Sequence, residues 1–178
     1  MATKKIHASL IGALLCICLH ASASRCVVSR LAESIGQTET TGKNDGPWVD
    51  RALVAAGFKP NSRLSYCGAY ILEAFKHCGL NQHGTAWSPS WFPKSRLCLG
   101  SELKDSSLFV FGLFYKNLGR VGHVGYVLRS TRTYIITLEG NTSSGAPPGS
   151  AQDRDGGGFW SKRRMKKGIT HYANWTQR

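Results

Sequence analysis

The hydrophobic pattern of this chain changes period near its middle, and this change limits the possible folds more than any other feature. In the first half, one set of apolar residues recurs at helical spacing: Cys67, Tyr70, Ile71, Ala74, Phe75 and Cys78. This spacing predicts an amphipathic helix. After Leu108, short apolar runs separated by turn residues indicate strands. Helices followed by strands are typical of α+β proteins, so we expect N-terminal helices packed on one face of a small curled antiparallel sheet.

Glycine, proline and polar residues set the boundaries of the predicted elements. We expect helices over residues 27–35, 47–56 and 66–78, each ended by a glycine at position 36, 57 or 79. The expected strands are residues 108–115, 121–128, 134–139, 159–160 and 169–172. Residues 141–158 are rich in Gly, Ser and Pro, which predicts a loop.

The first 23 residues have the pattern of a secretory signal peptide. Lys4 and Lys5 are followed by an apolar stretch over residues 8–19 and by the small-residue cleavage site Ala21-Ser22-Ala23. The apolar stretch is shorter than the roughly 20 residues that cross a bilayer, which argues against a membrane anchor. We therefore expect cleavage after Ala23, a single domain over residues 24–178, and export to the periplasm or the medium without stable membrane insertion.

The six cysteines of the full chain fall into two groups. Cys16 and Cys18 leave with the signal peptide, so Cys26, Cys67, Cys78 and Cys98 remain. These four are too irregularly spaced for a CxxC-type zinc site, and we expect neither a metal nor a cofactor. If Cys67 is a nucleophile and stays unpaired, at most one disulfide can form within the chain. Cys78 could then pair with Cys98 or pack as a core residue.

Cys67 falls at the amino end of the predicted third helix, with Ser65 as the expected cap. Unpaired backbone N–H groups and the helix dipole favour negative charge there, which lowers a thiol pKa and exposes the nucleophilic thiolate. The same N–H groups could bind the oxyanion of a tetrahedral intermediate. The alternative is a structural cysteine, since a cysteine on an apolar helix face is usually an inert core residue.

A thiolate nucleophile needs a base and a group that orients it. His123 begins a predicted strand, and Glu139 and Asn141 end the next one, two residues apart and therefore on one face. A hairpin turn between these strands would bring Glu139 back toward His123. The alternatives are a buried core histidine and an ordinary acidic turn.

Three segments resemble the motifs of the CHAP (cysteine, histidine-dependent amidohydrolase/peptidase) family: Ser65-Tyr66-Cys67-Gly68-Ala69-Tyr70, Gly122-His123-Val124-Gly125-Tyr126-Val127 and Leu138-Glu139-Gly140-Asn141. The resemblance implies a papain-like fold, with Cys67 as nucleophile, His123 as general base and then acid, Glu139 as the orienter of the imidazole, and Asn141 as an assisting polar group. Tyr66 stands where many members have glutamine or tryptophan, so the candidates for the second oxyanion donor are its hydroxyl and a residue upstream in the chain. Related NlpC-type peptidases commonly carry a histidine as the third polar group, so Glu139 favours CHAP.

The family's substrates are peptide-crosslinked cell walls, so the resemblance implies an amidase or endopeptidase of peptidoglycan. The formal net charge of +13, or +11 after cleavage removes two lysines, favours an anionic wall polymer as partner. Candidate wall-binding residues form one basic cluster: Lys162, Arg163, Arg164, Lys166 and Lys167. That cluster could equally be a solvated loop between the last two strands.

Other partners are less consistent with the sequence. We expect no nucleic-acid partner, because the chain is exported and shows no recognised reader motif, and we expect a monomer. Trp48, Trp87, Trp91 and Phe92 flank the nucleophile region and could line a groove or pack in the core. A second function class stays open, in which the chain is a non-catalytic cationic wall- or glycan-binding protein with structural cysteines.

Overall fold

A computed structural model describes residues 22–105, 107–145 and 155–176. Three α-helices precede the sheet: α1 over residues 22–32, α2 over Pro47–Ala55 and α3 over Cys67–His77. The second and third helices lie close to their predicted bounds, whereas α1 begins five residues earlier than predicted and ends three residues earlier. The glycines expected to end the helices have the positive φ angles of 89° at Gly36, 90° at Gly57 and 72° at Gly79. Residues 1–21 of the predicted signal peptide lie outside the described residues.

Five strands form one antiparallel sheet: β1 Phe109–Tyr115, β2 Arg120–Ser130, β3 Tyr134–Thr142, β4 Gly158–Met165 and β5 His171–Asn174. Their order across the sheet is β4-β3-β2-β1-β5. β2 and β3 form the predicted hairpin, with Tyr126 paired to Leu138. Asn141 and Thr142 belong to β3, so the predicted loop begins later than expected; its residues 146–154 lie outside the described residues.

β4 corrects the prediction for the basic cluster. The sequence predicted strand structure only at residues 159–160 and offered a solvated loop as an alternative for the cationic residues that follow. Instead, Lys162, Arg163 and Arg164 continue β4 and pair with Thr137, Ile136 and Ile135 of β3. Because side chains alternate along a strand, consecutive cations of this cluster lie on opposite faces of the sheet.

The α-helices pack on one face of the sheet, as predicted. α3 is buried along most of its length and contacts β2 and β3. The main core combines apolar helix residues with strand residues of that face: Val110, Val124, Tyr126, Leu138, Phe159 and Ala173. A smaller apolar cluster, including Phe111, Val127 and Ile135, covers the opposite face. The helix that carries the cysteine thus lies on an antiparallel sheet that carries the histidine, and the papain-like α+β prediction is confirmed.

One disulfide joins the first and third helices. Cys26 of α1 bonds Cys78, which directly follows α3. The suggested pairing of Cys78 with Cys98 is therefore wrong. Cys67 and Cys98 are free thiols. Among the described residues, no helix has the length and apolar character needed to cross a membrane.

Candidate active site

Cys67 is the first residue of α3 and is almost fully buried. The N-cap is Tyr66 rather than the predicted Ser65, and no side chain hydrogen-bonds to the helix end. The first backbone N–H groups of α3 are therefore left without a side-chain cap, at the point where the thiol lies. This arrangement gives the sulfur the electropositive surroundings that stabilise a thiolate.

A loop lies directly against this helix end, and Gly68 makes the contact possible. A Cβ atom at Gly68 would lie 2.5 Å from the carbonyl oxygen of Ala86, a distance that no side chain tolerates. The loop leads into a short 3-10 turn, Ser88–Trp91. Ser88 is buried, and its hydroxyl oxygen lies 3.2 Å from the Cys67 sulfur. Sequence reasoning missed this partner, because no local pattern links residues so far apart in the chain.

His123 lies on β2 with no exposed surface. Its Nε2 lies 2.8 Å from Oε2 of Glu139 on β3. Because a carboxylate can only accept, Nε2 carries the proton and donates it. The other ring nitrogen, Nδ1, has no conventional hydrogen-bond partner among the described residues, and it is the nitrogen left to interact with the thiol.

Close packing keeps the histidine and the glutamate together. Gly125 lies two residues after His123 on β2, and a Cβ atom there would be 2.8 Å from Cγ of Glu139 and 2.4 Å from the Phe111 ring. The Phe111 ring lies against His123 on the opposite side of the sheet from the main core. Glycine at position 125 therefore leaves the space that the Glu139 side chain occupies.

Glu139 is held by a buried arginine. Nε of Arg164 donates to Oε1 at 2.6 Å, and Nη2 donates to Oε2 at 2.6 Å. The hydroxyl of Thr137 also donates to Oε1. Burial alone would raise the pKa of Glu139, but the hydrogen bonds and charge of Arg164, together with His123, lower it to about 2. The carboxylate is thus charged at any pH at which the protein would work.

This contact overturns the prediction that Arg164 binds an external polymer. Its side chain is only 5% exposed, and its guanidinium is committed to Glu139. A strand assignment could have indicated this contact from the sequence. A charged side chain that faces a buried side of the sheet needs a partner of opposite charge. The basic residues after Trp160 were not predicted as a strand, because runs of charged residues are typical of solvated loops.

The thiol and the imidazole shift each other's pKa toward an ion pair. Burial raises the pKa of the Cys67 thiol, but hydrogen bonds from His123 and Ser88 and the His123 charge together hold it below its usual range. Burial also lowers the pKa of His123, but Cys67 and Glu139 raise it to about 9. Both shifts favour a thiolate beside an imidazolium.

Asn141 lies on a β-bulge. The pairing of β3 with β4 shifts between Gly140 and Thr142, and Asn141 has a φ of 59°. Asparagine tolerates this left-handed conformation better than most residues. The side-chain alternation that placed Asn141 on the Glu139 face is interrupted at this bulge, so spacing alone does not locate its side chain.

The Tyr66 hydroxyl is buried close to the thiol but already has hydrogen bonds. It donates to Oε1 of Glu39 at 3.1 Å and accepts from the backbone N–H of Asn141. Burial and the Glu39 carboxylate raise the pKa of Tyr66 well above its usual value. Its role as an oxyanion donor stays a prediction, and in this structure its proton is directed to Glu39.

A cleft of about 240 Å³ opens beside Cys67 and Ser88. Its apolar lining includes Phe58, Leu64 and Trp87, all of them substantially exposed. Arg120, at the start of β2, also lines it. Of the flanking aromatics, Trp87 thus faces the cleft, whereas Trp91 is fully buried in the core.

The other candidate wall-binding residues differ in exposure. Arg163 and Lys167 are exposed, and the guanidinium of Arg163 lies over the Tyr134 ring. Lys162 donates to the Ser143 carbonyl at 3.0 Å, and Lys166 donates to the Gly100 carbonyl at 2.8 Å. Their role in wall binding stays a prediction. Within the described ranges, no group of three or more His, Cys, Asp or Glu side chains is placed to hold a metal ion.

No protein-family model matches the sequence, and no curated protein matches it. Among solved structures, the chain is similar to a mutant of the resuscitation promoting factor interacting protein RipA, with 16% sequence identity and a TM-score of 0.49. The match covers 85% of this chain and 61% of that one, so this chain spans less than two thirds of the RipA structure. A likeness at this level carries no argument about activity, which must come from the site.

Proposed function

We propose that this protein is an exported cysteine amidase or endopeptidase of the CHAP type that hydrolyses amide bonds of bacterial peptidoglycan. The observation that carries the proposal is the buried array of Cys67, His123 and Glu139 beside an open cleft, with Nε2 of His123 2.8 Å from Glu139. A satisfied core histidine would not also hold a thiol pKa below its usual range at a helix N-terminus.

In the first step, the Cys67 thiolate attacks the carbonyl carbon of an amide bound in the cleft, which forms a C–S bond. The developing oxyanion lies near the uncapped N–H groups at the start of α3, which stabilise it. The imidazolium of His123 gives its proton to the amide nitrogen as the C–N bond breaks. The amine leaves, and an acyl-enzyme remains.

In the second step, water replaces the amine. Neutral His123 takes a proton from the water as its oxygen attacks the thioester carbonyl, and the C–S bond then breaks to release a carboxylic acid and regenerate the thiolate. Glu139 keeps the imidazole oriented throughout and stabilises its charged form, while Arg164 keeps Glu139 ionised. Asn141 and Tyr66 are proposed to assist beside the thiol.

Peptidoglycan is the proposed substrate because three independent features agree with it. The signal peptide predicted for residues 1–23 would export the chain, and the Cys26–Cys78 disulfide is typical of oxidising compartments. The net charge of +13 favours an anionic polymer. The CHAP-like motifs surround the three residues that meet at the site.

The proposal is tested by digesting purified peptidoglycan with the wild-type protein and two cysteine variants. Cys67→Ala should abolish release of soluble fragments, because it removes the nucleophile. Cys98→Ala is the matched control, because it removes the other free thiol and should digest the wall at the wild-type rate. Mass spectrometry of the fragments distinguishes an amidase, which separates glycan from stem peptide, from an endopeptidase.

Alkylation gives a second measurement on the same proteins. The pKa of Cys67 is lowered, whereas burial raises the pKa of Cys98 to about 11, so iodoacetamide should modify Cys67 first at neutral pH. Wild-type protein that binds the wall but does not digest it would favour a non-catalytic cationic binding protein. A Cys67→Ala variant that digests the wall as well as the wild type would contradict the role of Cys67 as nucleophile.

A further inference from the structure

The cleft beside the thiol contains one charged side chain, Arg120. Among the described residues that line the cleft, no acidic side chain balances it. The guanidinium donates to the backbone carbonyl of Val121 at 3.0 Å and makes no ion pair with any described carboxylate. Among the described residues of the lining, Arg120 therefore carries the one permanent charge.

Five other arginines of the described chain differ from Arg120 in having a carboxylate partner. Arg30, Arg51, Arg63, Arg129 and Arg164 each lie within 4.0 Å of a carboxylate oxygen in the described structure. Arg120 is half-buried, so its charge is partly shielded from water without a partner that compensates it. A half-buried arginine without a carboxylate is suited to bind one from a ligand.

The position of Arg120 indicates where a bound ligand carboxylate would lie relative to the scissile bond. Arg120 begins β2, three residues before His123, and lines the same cleft as Cys67 and Ser88. Its hydrogen bond to the Val121 carbonyl holds the guanidinium close to the start of the strand. A carboxylate bound by this guanidinium would therefore belong to a residue next to the attacked amide.

The rest of the cleft is apolar. Trp87 is 59% exposed, and Phe58 and Leu64 are also substantially exposed for large apolar side chains. Such surfaces bury the aliphatic or ring part of a ligand, while a single charged group fixes its orientation. The cleft thus combines apolar contact with recognition of one negative charge.

We propose that Arg120 is a specificity-determining residue that binds a free carboxylate on the residue flanking the scissile amide. This inference rests on the proposed function and adds the substrate class, namely peptide amides with an adjacent unamidated carboxyl group. The carboxylate can lie on the acyl side or on the amine side of the bond, and the test includes both.

The test compares muropeptide fragments that are identical except that one carboxyl group beside the scissile amide is free or amidated. One pair carries the change on the acyl side, and a second pair carries it on the amine side. Wild-type protein should cleave the free acid of one pair with a kcat/KM about 10-fold to 100-fold higher than its amide, the range for a charge-assisted hydrogen bond.

Arg120→Gln should remove this preference, because it should slow cleavage of the acid far more than cleavage of the amide. Arg120→Lys should retain part of it, because lysine keeps the charge but not the planar fork of donors. Arg129→Gln is the matched control: it removes one positive charge from the exposed end of the same strand and should keep the full preference.

Binding to the Cys67→Ala protein separates this inference from the proposed function. Calorimetric titration with the same fragments should show tighter binding of the acid than of the amide. The Cys67→Ala/Arg120→Gln double variant should bind the two equally. Both results are independent of whether the wild type cleaves the fragments. Equal affinity for acid and amide, or a preference that survives Arg120→Gln, would overturn the role of Arg120. Cys67-dependent cleavage without the preference would leave the proposed function standing.

Discussion

Arg164 is the residue whose role changes most between sequence and structure. In the sequence it is one cation of a basic run, and charge runs usually lie in solvent. In the structure its guanidinium binds both carboxylate oxygens of Glu139, which in turn binds the catalytic candidate His123. Arg164 touches neither the thiol nor the cleft, so we interpret it as a positioning residue that acts through Glu139.

Replacing Arg164 with methionine should leave Glu139 as a buried charge without its partner. We expect a loss of about 3–5 kcal/mol in the free energy of unfolding, because removal of one member of a buried ion pair exposes the full desolvation cost of the other. The pKa of Glu139 should rise, so the acid limb of the kcat/KM profile should move to higher pH. Thermal unfolding and the pH profile measure the two effects.

The sign of the pH effect follows from the lowered pKa of Glu139. In the wild type, Glu139 stabilises the fold above its ordinary pKa of 4.5, and this contribution is lost as the pH falls toward about 2. Arg164→Lys keeps the charge and should shift the profile less, which preserves the test if Arg164→Met does not fold. Arg163→Met is the matched control on the exposed face of β4. If the acid limb of the kcat/KM profile lay at the wild-type pH in both Arg164 variants, the positioning role of Arg164 would be contradicted.

At the scale of elements, local patterns predicted the helices better than the strands. The apolar spacing of α3 and the Gly46-Pro47 start of α2 are visible in the sequence, and both helices form there. The β2–β3 hairpin was also predictable, and with it the approach of Glu139 to His123. These features depend on residues close together in the chain.

Features that depend on distant residues were not predictable. β4 lies at the edge of the sheet, and only its residues Phe159 and Trp160 were predicted as strand; the basic residues that follow them show no strand pattern. The bulge at Asn141 depends on the register of β3 against β4. Ser88 reaches the thiol only because its loop packs on Gly68. The pairing of Cys26 with Cys78 cannot be deduced from cysteine spacing.

The disulfide between α1 and the end of α3 should contribute strongly to stability. Its cysteines are 52 residues apart, and a crosslink over a loop of that length stabilises a fold by about 4 kcal/mol through the entropy of the unfolded chain. The Cys26→Ser/Cys78→Ser double variant should lose about this much in chemical denaturation. It should retain activity where folded, because the disulfide lies at the opposite end of α3 from Cys67.

Cys98→Ser is the control for this measurement, because Cys98 has no disulfide partner and its replacement should leave stability nearly unchanged. Non-reducing peptide mapping should recover a Cys26–Cys78 linked peptide. Recovery of a peptide that links Cys98 to either of the other two cysteines would contradict the arrangement described above.

At the scale of the whole molecule, the excess of positive charge should act as a salt-sensitive attraction to the wall. Exposed charges are screened within about 8 Å at physiological ionic strength, so binding to purified peptidoglycan should weaken as salt is added. Arg163 and Lys167 are the exposed cations of the basic cluster. Arg163→Gln/Lys167→Gln should therefore weaken wall binding and reduce its dependence on salt, as measured by co-sedimentation.

A second double variant distinguishes a defined binding surface from net charge alone. Lys43→Gln/Lys104→Gln also removes two exposed positive charges, but from residues outside the basic cluster. It should weaken wall binding less than the Arg163→Gln/Lys167→Gln variant does. Equal losses in the two variants would mean that the wall responds to overall charge and not to the basic cluster.

The turn that carries Ser88 is held in place by Trp175, a residue distant from it in the chain. The indole N–H of Trp175, which follows β5, donates to the Trp91 carbonyl at 3.2 Å, and the two indole rings meet edge to face. During synthesis, Cys67 leaves the ribosome long before Trp175. A chain that stops before Trp175 would therefore carry Cys67 without the contacts that hold the Ser88 turn beside it.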